Sequence, residues 1–443
     1  MTIEPADADL VHEAMAVLEG NWLGRATRPS PRLYPHQWSW DAAFIAMGYA
    51  HYAPDRALQE LESLFAGQWS NGMLPHIVFA EGEHDYFPGP DFWQSELSPY
   101  APRRPRTSGI VQPPIHATAA LAIFREMEDP EQGRDFLARL MPRLAAWHLW
   151  LRRERVRDAD SLVEIWHPWE SGMDNSPLWD EALGRLVPDP VRDWVRADLR
   201  HADERERPTH DQYDRYIHLV KLFRHHRYHP DRIAPATPFA VADVLYNSLW
   251  VKANRDLAEI ARMLGADHSS FDRWADETAT GMQSRLWDEE EAVYVDLDLV
   301  AGERIMTRVG AGFSPLFAGI PEPEQARRMV DHLVAAVGVR LDATTWMVPS
   351  LDPRHAGFLP TNYWRGPIWI NVNWVLYHGL RRYGYHDLAG TLRRSMIELP
   401  RRSGFFEHYD PTTGRGHGAE RFAWTAALVL DLLFEEPPGP APD

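Results

Sequence analysis

"FAVADVLYNSLWVKANRDLAEIARMLG", residues 239–265, sets apolar side chains four apart at Leu245, Leu249, Ala253, Leu257 and Ala261 and then ends on a glycine. That spacing is the period of an α-helix with a buried face, and a terminal glycine is a helix stop. The same period recurs over 6–23, 39–52, 55–69, 114–127, 131–156, 213–228, 272–287, 323–338, 367–385, 386–399 and 419–435. Convincing strands are few, although "VYVDLDLVAGE" (293–303) reads as a short hairpin. Short Gly/Pro/Asp connections such as "HYAPDR" (51–56) and "RYGYHD" (382–387) predict antiparallel pairing of neighbouring helices. About a dozen helices paired in this way predict an all-α fold in which six hairpins close into a ring. A superhelical array is the alternative, and no fixed-period repeat supports it.

Composition narrows the function. The 443 residues carry 46 Lys and Arg against 64 Asp and Glu, a formal charge of −18. Such a surface repels phosphate backbones and anionic membranes, so neither nucleic acid nor a membrane is expected as a partner. The absence of cysteine excludes disulfides, zinc-thiolate sites and thiol nucleophiles, and suits a reducing compartment. "MTIEPADADLVHEAMAVLEG" (1–20) lacks the basic start of a secretion signal, so a cytoplasmic enzyme is expected. "FAWTAALVLDLLF" (422–434) is broken by Asp431 and too short to span a bilayer; it reads as a buried helix.

The helices are separated by long polar, aromatic-rich connections at about 69–113, 158–212 and 341–366, which should hold the chemistry on one face of the ring. Many of the 19 tryptophans cluster there, in "HQWSWDAAF" (36–44), "WHPWESGMD" (166–174) and "NYWRGPIW" (362–369). Flat rings with one polar edge suit sugars, and core filling is the competing role. Glycoside cleavage needs one carboxylic acid and one carboxylate. Asp174, in a Gly-Met-Asp-Asn-Ser turn between indoles, suits the acid, or is simply an Asx-turn residue. Glu407, behind two phenylalanines in "SGFFEHYDPTTGRGHG" (403–418), suits the second role, or caps a helix or pairs with a cation. Asp41 grips sugar hydroxyls or favours a helix N-terminus. Arg207 and Arg365 hold a substrate carboxylate or form interior ion pairs. The 21 histidines show no metal-ligand spacing, and no phosphate-binding glycine motif is present, so no metal and no cofactor is expected.

In order along the chain, "RLYPHQWSWDAAF" (32–44), "NGMLPHIVF" (71–79), "DYFPGP" (85–90), "SGIVQPPIHA" (108–117), "WESGMDNSPLWD" (169–180), "YDRY" (213–216), "YWRGPIW" (363–369) and "FFEHYDPTTG" (405–414) resemble the bacterial mannosylglycerate and glucosylglycerate hydrolases of glycoside hydrolase family 63. The resemblance runs from about residue 19 to 430. It implies a single (α/α)6 barrel over 1–443 with a cap-like insertion at roughly 176–237, and an inverting mechanism. Asp174 then matches the general acid and Glu407 the general base, with carboxyls roughly 6.5–9.5 Å apart. Tyr34, Trp38, Trp40 and Asp41 match the sugar-binding segment, Gln112 the glutamine beside it, and Gly172 a glycine that lets backbone approach the sugar. Tyr86, Arg207, Tyr213, Tyr363 and Trp364 match positions that enclose glycerate, and Trp369 part of the wall. Glu170 and Asp180 are expected to support the acid's loop, with Trp166, Trp169 and Trp179 either touching sugar or bracing the turn.

The expected reaction is hydrolysis of 2-O-α-D-mannosylglycerate or 2-O-α-D-glucosylglycerate, small anionic glycosides, to hexose and D-glycerate. A related α-glucosidase or trehalase-like hydrolase of a neutral disaccharide is the alternative. A sugar epimerase or isomerase on the same toroid and a noncatalytic sugar-binding protein stand behind it. Nothing in the sequence separates a monomer from a homo-oligomer.

Overall fold

The structure, a computed structural model, describes residues 7–156, 160–188 and 194–435. Among the described residues, thirteen helices matter to the frame: α1 (Ala8–Asn21), α2 (Ser39–Ala50), α3 (Pro54–Ala66), α4 (His116–Glu126), α5 (Pro130–Glu154), α6 (His210–His225), α7 (Val244–Met263), α8 (Ser269–Arg285), α9 (Pro315–Ala318), α10 (Pro323–His332), α11 (Ile370–Arg382), α12 (His386–Ser403) and α13 (Ala423–Phe434). The helices α2, α4, α7, α9, α11 and α13 touch one another in that order, and α13 packs on α2, so an inner ring closes. Outside it, α3 packs on α2, α5 on α4, α8 on α7, α12 on α11 and α1 on α13. The result is an (α/α)6 barrel in which the last inner helix pairs with the first helix of the chain.

Side-chain patterning explains the two layers. Every residue of α2 is buried, as are all but a few of α13, because an inner helix meets protein on all sides. In α3 burial is one-sided, centred on Ala57, Leu58, Leu61, Leu64 and Phe65. Gly48 sets a close approach in the ring: a Cβ there would lie 2.5 Å from Cα of Ala427 in α13. In the opening stretch, Asp243 accepts the backbone N–H of Tyr246 as N-cap, so 239–243 lie outside α7. Gly265, at φ +68°, follows the helix end at the position the sequence marks as a stop.

The expected helix over 213–228 is present but not in the ring, and one inner helix has no counterpart in the sequence reading. The segment 213–228 forms α6, which stands outside the double ring and lies on the loops: Tyr213 donates to the Phe87 carbonyl, Arg224 to that of Phe92, and Tyr216 to that of Asp174. The remaining inner helix is α9, one turn long, and four residues cannot display a 3.6 period. Among the described residues sheet occurs in short pieces, of which β1 (Gln37–Trp38) pairs with β2 (Ile77–Val78), β3 (Val241–Ala242) with β4 (Asp296–Asp298), β4 with β5 (Glu303–Ile305), and β6 (Phe406–Tyr409) with β7 (Gly416–Glu420). The hairpin expected over 293–303 forms over 296–305 instead, while Val293 and Tyr294 pair back onto Asp288 and Trp287. The segment 176–237 holds α6, and residues 189–193 within it lie outside the described residues. No helix among the described residues is long and apolar enough to cross a membrane.

Candidate active site

Inner helices present their N-terminal ends to one mouth of the barrel, where the long loops and the β6–β7 hairpin also arrive. A pocket there is lined by Asp41 from the first turn of α2, Trp369 at the start of α11 and Trp424 from the first turn of α13. Asp174, Glu407 and Arg207 line the same pocket, as do Tyr34, Trp38, Trp40, Tyr86, Gln112, Gly172, Tyr213, Tyr363 and Trp364. All fourteen residues that the resemblance assigns to the site thus meet at one place.

The Asp174 turn is tied down from several sides. Ser171 Oγ donates to the Pro168 carbonyl at 2.7 Å and accepts from the Met173 N–H at 2.9 Å. Trp179 Nε1 donates to the Met173 carbonyl, and the Tyr216 hydroxyl donates to the Asp174 carbonyl, both at 2.8 Å. Burial pushes the Asp174 carboxyl up to about 7, with Glu407 adding to the rise and Arg207 opposing it. A carboxyl in that state keeps its proton in about half of the molecules at pH 7 and in most of them below it.

Glu407 sits on β6 and is 1% exposed. The Tyr34 hydroxyl donates to Oε1 at 2.7 Å, and the Ala419 N–H of β7 donates to Oε2 at 2.9 Å. Backbone reaches the carboxylate because Gly418 has φ +73°; a Cβ there would lie 2.5 Å from Oε2. Burial raises the Glu407 carboxyl, while Arg207, the Tyr34 hydroxyl and the Ala419 N–H each favour its ionised form. These three groups offset part of the rise that burial causes, and Glu206 adds to it. Asp41 is pushed well above its ordinary value, chiefly by burial and then by Glu407 and Asp174.

The aromatic walls are packed against one another. Trp364 and Trp369 stack face to face at 3.8 Å, and Tyr34 meets Trp38 edge-on at 5.2 Å. Gln112 Oε1 accepts the N–H groups of Ser39 and Trp40 at 3.1 and 3.3 Å, which fixes the start of α2 and the indole that follows. Gly172 has φ +74°, and a Cβ there would run into the Trp40 indole. Any side chain at this position of the pocket lining would therefore collide with Trp40, which lines the same pocket. Gly172→Ala is expected to cost about 1–3 kcal/mol through overpacking and to lower activity by displacing Trp40, read from the thermal midpoint and KM. An unchanged midpoint would count against this packing.

The chain as a whole resembles known proteins. Residues 34–425 match the family model described as the mannosylglycerate hydrolase MGH1-like glycoside hydrolase domain. The chain belongs to this glycoside hydrolase family. It is 48% identical over 433 residues to a mannosylglycerate hydrolase of Rubrobacter radiotolerans, covering 97% of this chain and 98% of the relative. It is 37% identical over 440 residues to a glucosylglycerate hydrolase of Mycolicibacterium hassiacum, covering 96% and 97%. The crystal structure of the family 63 mannosylglycerate hydrolase of Thermus thermophilus with Tris and D-glycerate superposes with a TM-score of 0.89 at 43% identity, covering 95% of this chain and 99% of that one.

In this member of the family Arg207 plays two parts. It is buried, and its Nε donates to Asp198 at 3.3 Å, an ion pair that Arg196 completes from the other side. Its Nη1 donates to the Tyr34 hydroxyl at 2.7 Å and lies 3.9 Å from Glu407 Oε1, and its guanidinium sits 4.3 Å from the centre of the Tyr363 ring. The ion-pair reading of Arg207 therefore holds at Nε, while Nη1 is bonded to Tyr34 and Nη2 meets no acceptor among the described residues. Arg365, the other candidate cation, instead grips Asp180 through two hydrogen bonds at 2.9 and 2.6 Å.

The remaining acids of the 166–180 stretch brace it. Glu170 is fully buried, accepts both Arg155 Nη groups at 2.7 Å and takes the Trp166 N–H at 2.7 Å. Trp166 and Trp179 are buried away from the pocket, whereas Trp169 lines it. Asp198, His76 and Trp424 also line the pocket and have no counterpart among the sequence candidates. Trp424 stands in a run that reads only as a buried helix; its place in the first turn is the available signal. Asp198 lies in an irregular stretch with no pattern to mark it.

Proposed function

We propose that this enzyme hydrolyses 2-O-α-D-mannosylglycerate, 2-O-α-D-glucosylglycerate or both to hexose and D-glycerate, with inversion at the anomeric carbon. The chain is taken as one catalytic domain whose 176–237 segment caps the pocket. The observation that carries this reading is that Asp174 and Glu407 share a pocket with an arginine whose Nη2 meets no acceptor among the described residues. Asp174 protonates the glycosidic oxygen as the bond to the sugar breaks. Glu407 removes a proton from a water that attacks the anomeric carbon from the opposite face. The indole walls and Asp41 hold the hexose, and Arg207 Nη2 pairs with the glycerate carboxylate. The relatives' names support both hexoses. With a chain charge of −18, the buried arginine supplies the local attraction an anionic substrate needs.

Arg207→Ala tests the anion. The kcat/KM for a glycosylglycerate is expected to fall by about 10–100-fold more than that for a carboxylate-free glycoside of the same hexose, the worth of one charged hydrogen bond. Equal loss on the two substrates would favour a neutral-disaccharide hydrolase instead.

A further inference from the structure

The loop that carries the general acid and the segment that carries Arg207 are joined by two amide side chains. Asn175, the residue after Asp174, is 1% exposed. Its Oδ1 accepts the Trp364 N–H at 2.9 Å and its Nδ2 donates to Asn362 Oδ1 at 2.8 Å. Asn362 Nδ2 in turn donates to the carbonyl of Arg205 at 2.6 Å and to that of Arg207 at 3.4 Å. The chain of contacts runs from the residue beside the acid, through the loop bearing Tyr363 and Trp364, to the backbone of the arginine. Each amide uses its oxygen as acceptor and its nitrogen as donor, so neither can be flipped without breaking the chain. On its far side the same segment is held to the base's hairpin, where Glu206 accepts from His417 Nδ1 at 2.7 Å and from the Gly418 N–H at 3.0 Å.

We propose that Asn175 and Asn362 are positioning residues that hold Arg207 in register with Asp174, so that binding the aglycone carboxylate sets the glycosidic oxygen against the acid. The inference rests on the substrate reading above. In a 2-O-glycoside of glycerate, the carboxylate and the glycosidic oxygen are attached to the same carbon. A cation placed for the carboxylate therefore fixes the oxygen within about two bonds, and an error in register between Arg207 and the acid spoils proton delivery. Asn362 is the link that can be removed without touching either group.

The test compares wild type with Asn362→Ala and Asn362→Asp on a glycosylglycerate and on the methyl α-glycoside of the same hexose, with thermal midpoints measured alongside. Asn362→Asp keeps the acceptor for Asn175 but loses both donors to the 205–207 backbone, and it keeps the size of the side chain should the alanine variant fail to fold. The expected result is a fall of about tenfold or more in the ratio of kcat/KM between the two substrates, carried mainly by kcat for the glycosylglycerate, because a carboxylate held by a displaced Arg207 leaves the glycosidic oxygen out of line with the acid. A ratio within about twofold of wild type in the variants would overturn the register role, because a merely structural link lowers both activities together. Wild type lacking any preference for the glycosylglycerate would overturn the substrate reading and this inference with it. A wild-type preference kept by the variants overturns this inference alone.

Discussion

Asp174→Asn is expected to lower kcat/KM for a glycosylglycerate by about 10²–10⁴-fold, the usual contribution of a positioned general acid. The asparagine keeps the turn, since the Tyr216 hydroxyl binds the backbone carbonyl and not the side chain. What is lost is the proton. Because burial lifts the carboxyl to about 7, a general-acid role for Asp174 predicts that kcat/KM falls as pH rises through that value. A substrate with an activated aryl leaving group needs no protonation; its alkaline limb should disappear and its loss in Asp174→Asn should be far smaller. The same shift predicts a stability effect. The folded state binds a proton that the unfolded state releases between the ordinary aspartate value and about 7, so stability falls with rising pH across that window. The variant, which cannot ionise, should therefore show a higher thermal midpoint than wild type at pH 8. A variant that loses equally on both leaving groups would remove Asp174 from the acid role.

Glu407→Ala is expected to be as inactive, by about 10²–10⁴-fold, and chemically rescuable. Truncation removes the acceptor of the Tyr34 hydroxyl and of the Ala419 N–H, and opens space on the face from which water attacks. Azide is already an anion and needs no base. Added to Glu407→Ala, it should restore turnover and give a glycosyl azide of the β configuration from an α-linked substrate. An azide of α configuration would make Glu407 the acid/base of a retaining mechanism, and a β azide leaves the hexose anomer released by wild type to separate an inverting base from a retaining nucleophile. No rescue with a folded variant would argue against its standing beside the anomeric carbon.

Much of this is legible in the residues, and the gaps have physical causes. Inner helices such as α2 and α13 announce themselves because burial on all sides demands a long apolar run. The one-turn α9 cannot, and α6 takes its place in the count because an amphipathic pattern records one buried face without saying what covers it. Asp174 and Glu407 stand out as acids among aromatics, the composition a dry pocket requires. Gly172 is recognisable as a close approach, yet its neighbour is Trp40, more than a hundred residues earlier, and no local pattern names such a partner. The same holds for the Asn175 and Asn362 amides, which look like ordinary turn residues until the chain brings them together.

Inversion by two carboxyls acting through water is the central claim. Proton NMR of the hexose released in the first seconds from an α-linked glycosylglycerate tests it most directly, before mutarotation mixes the anomers. The β-anomer is predicted as first product; the α-anomer appearing first would contradict the two-carboxyl mechanism.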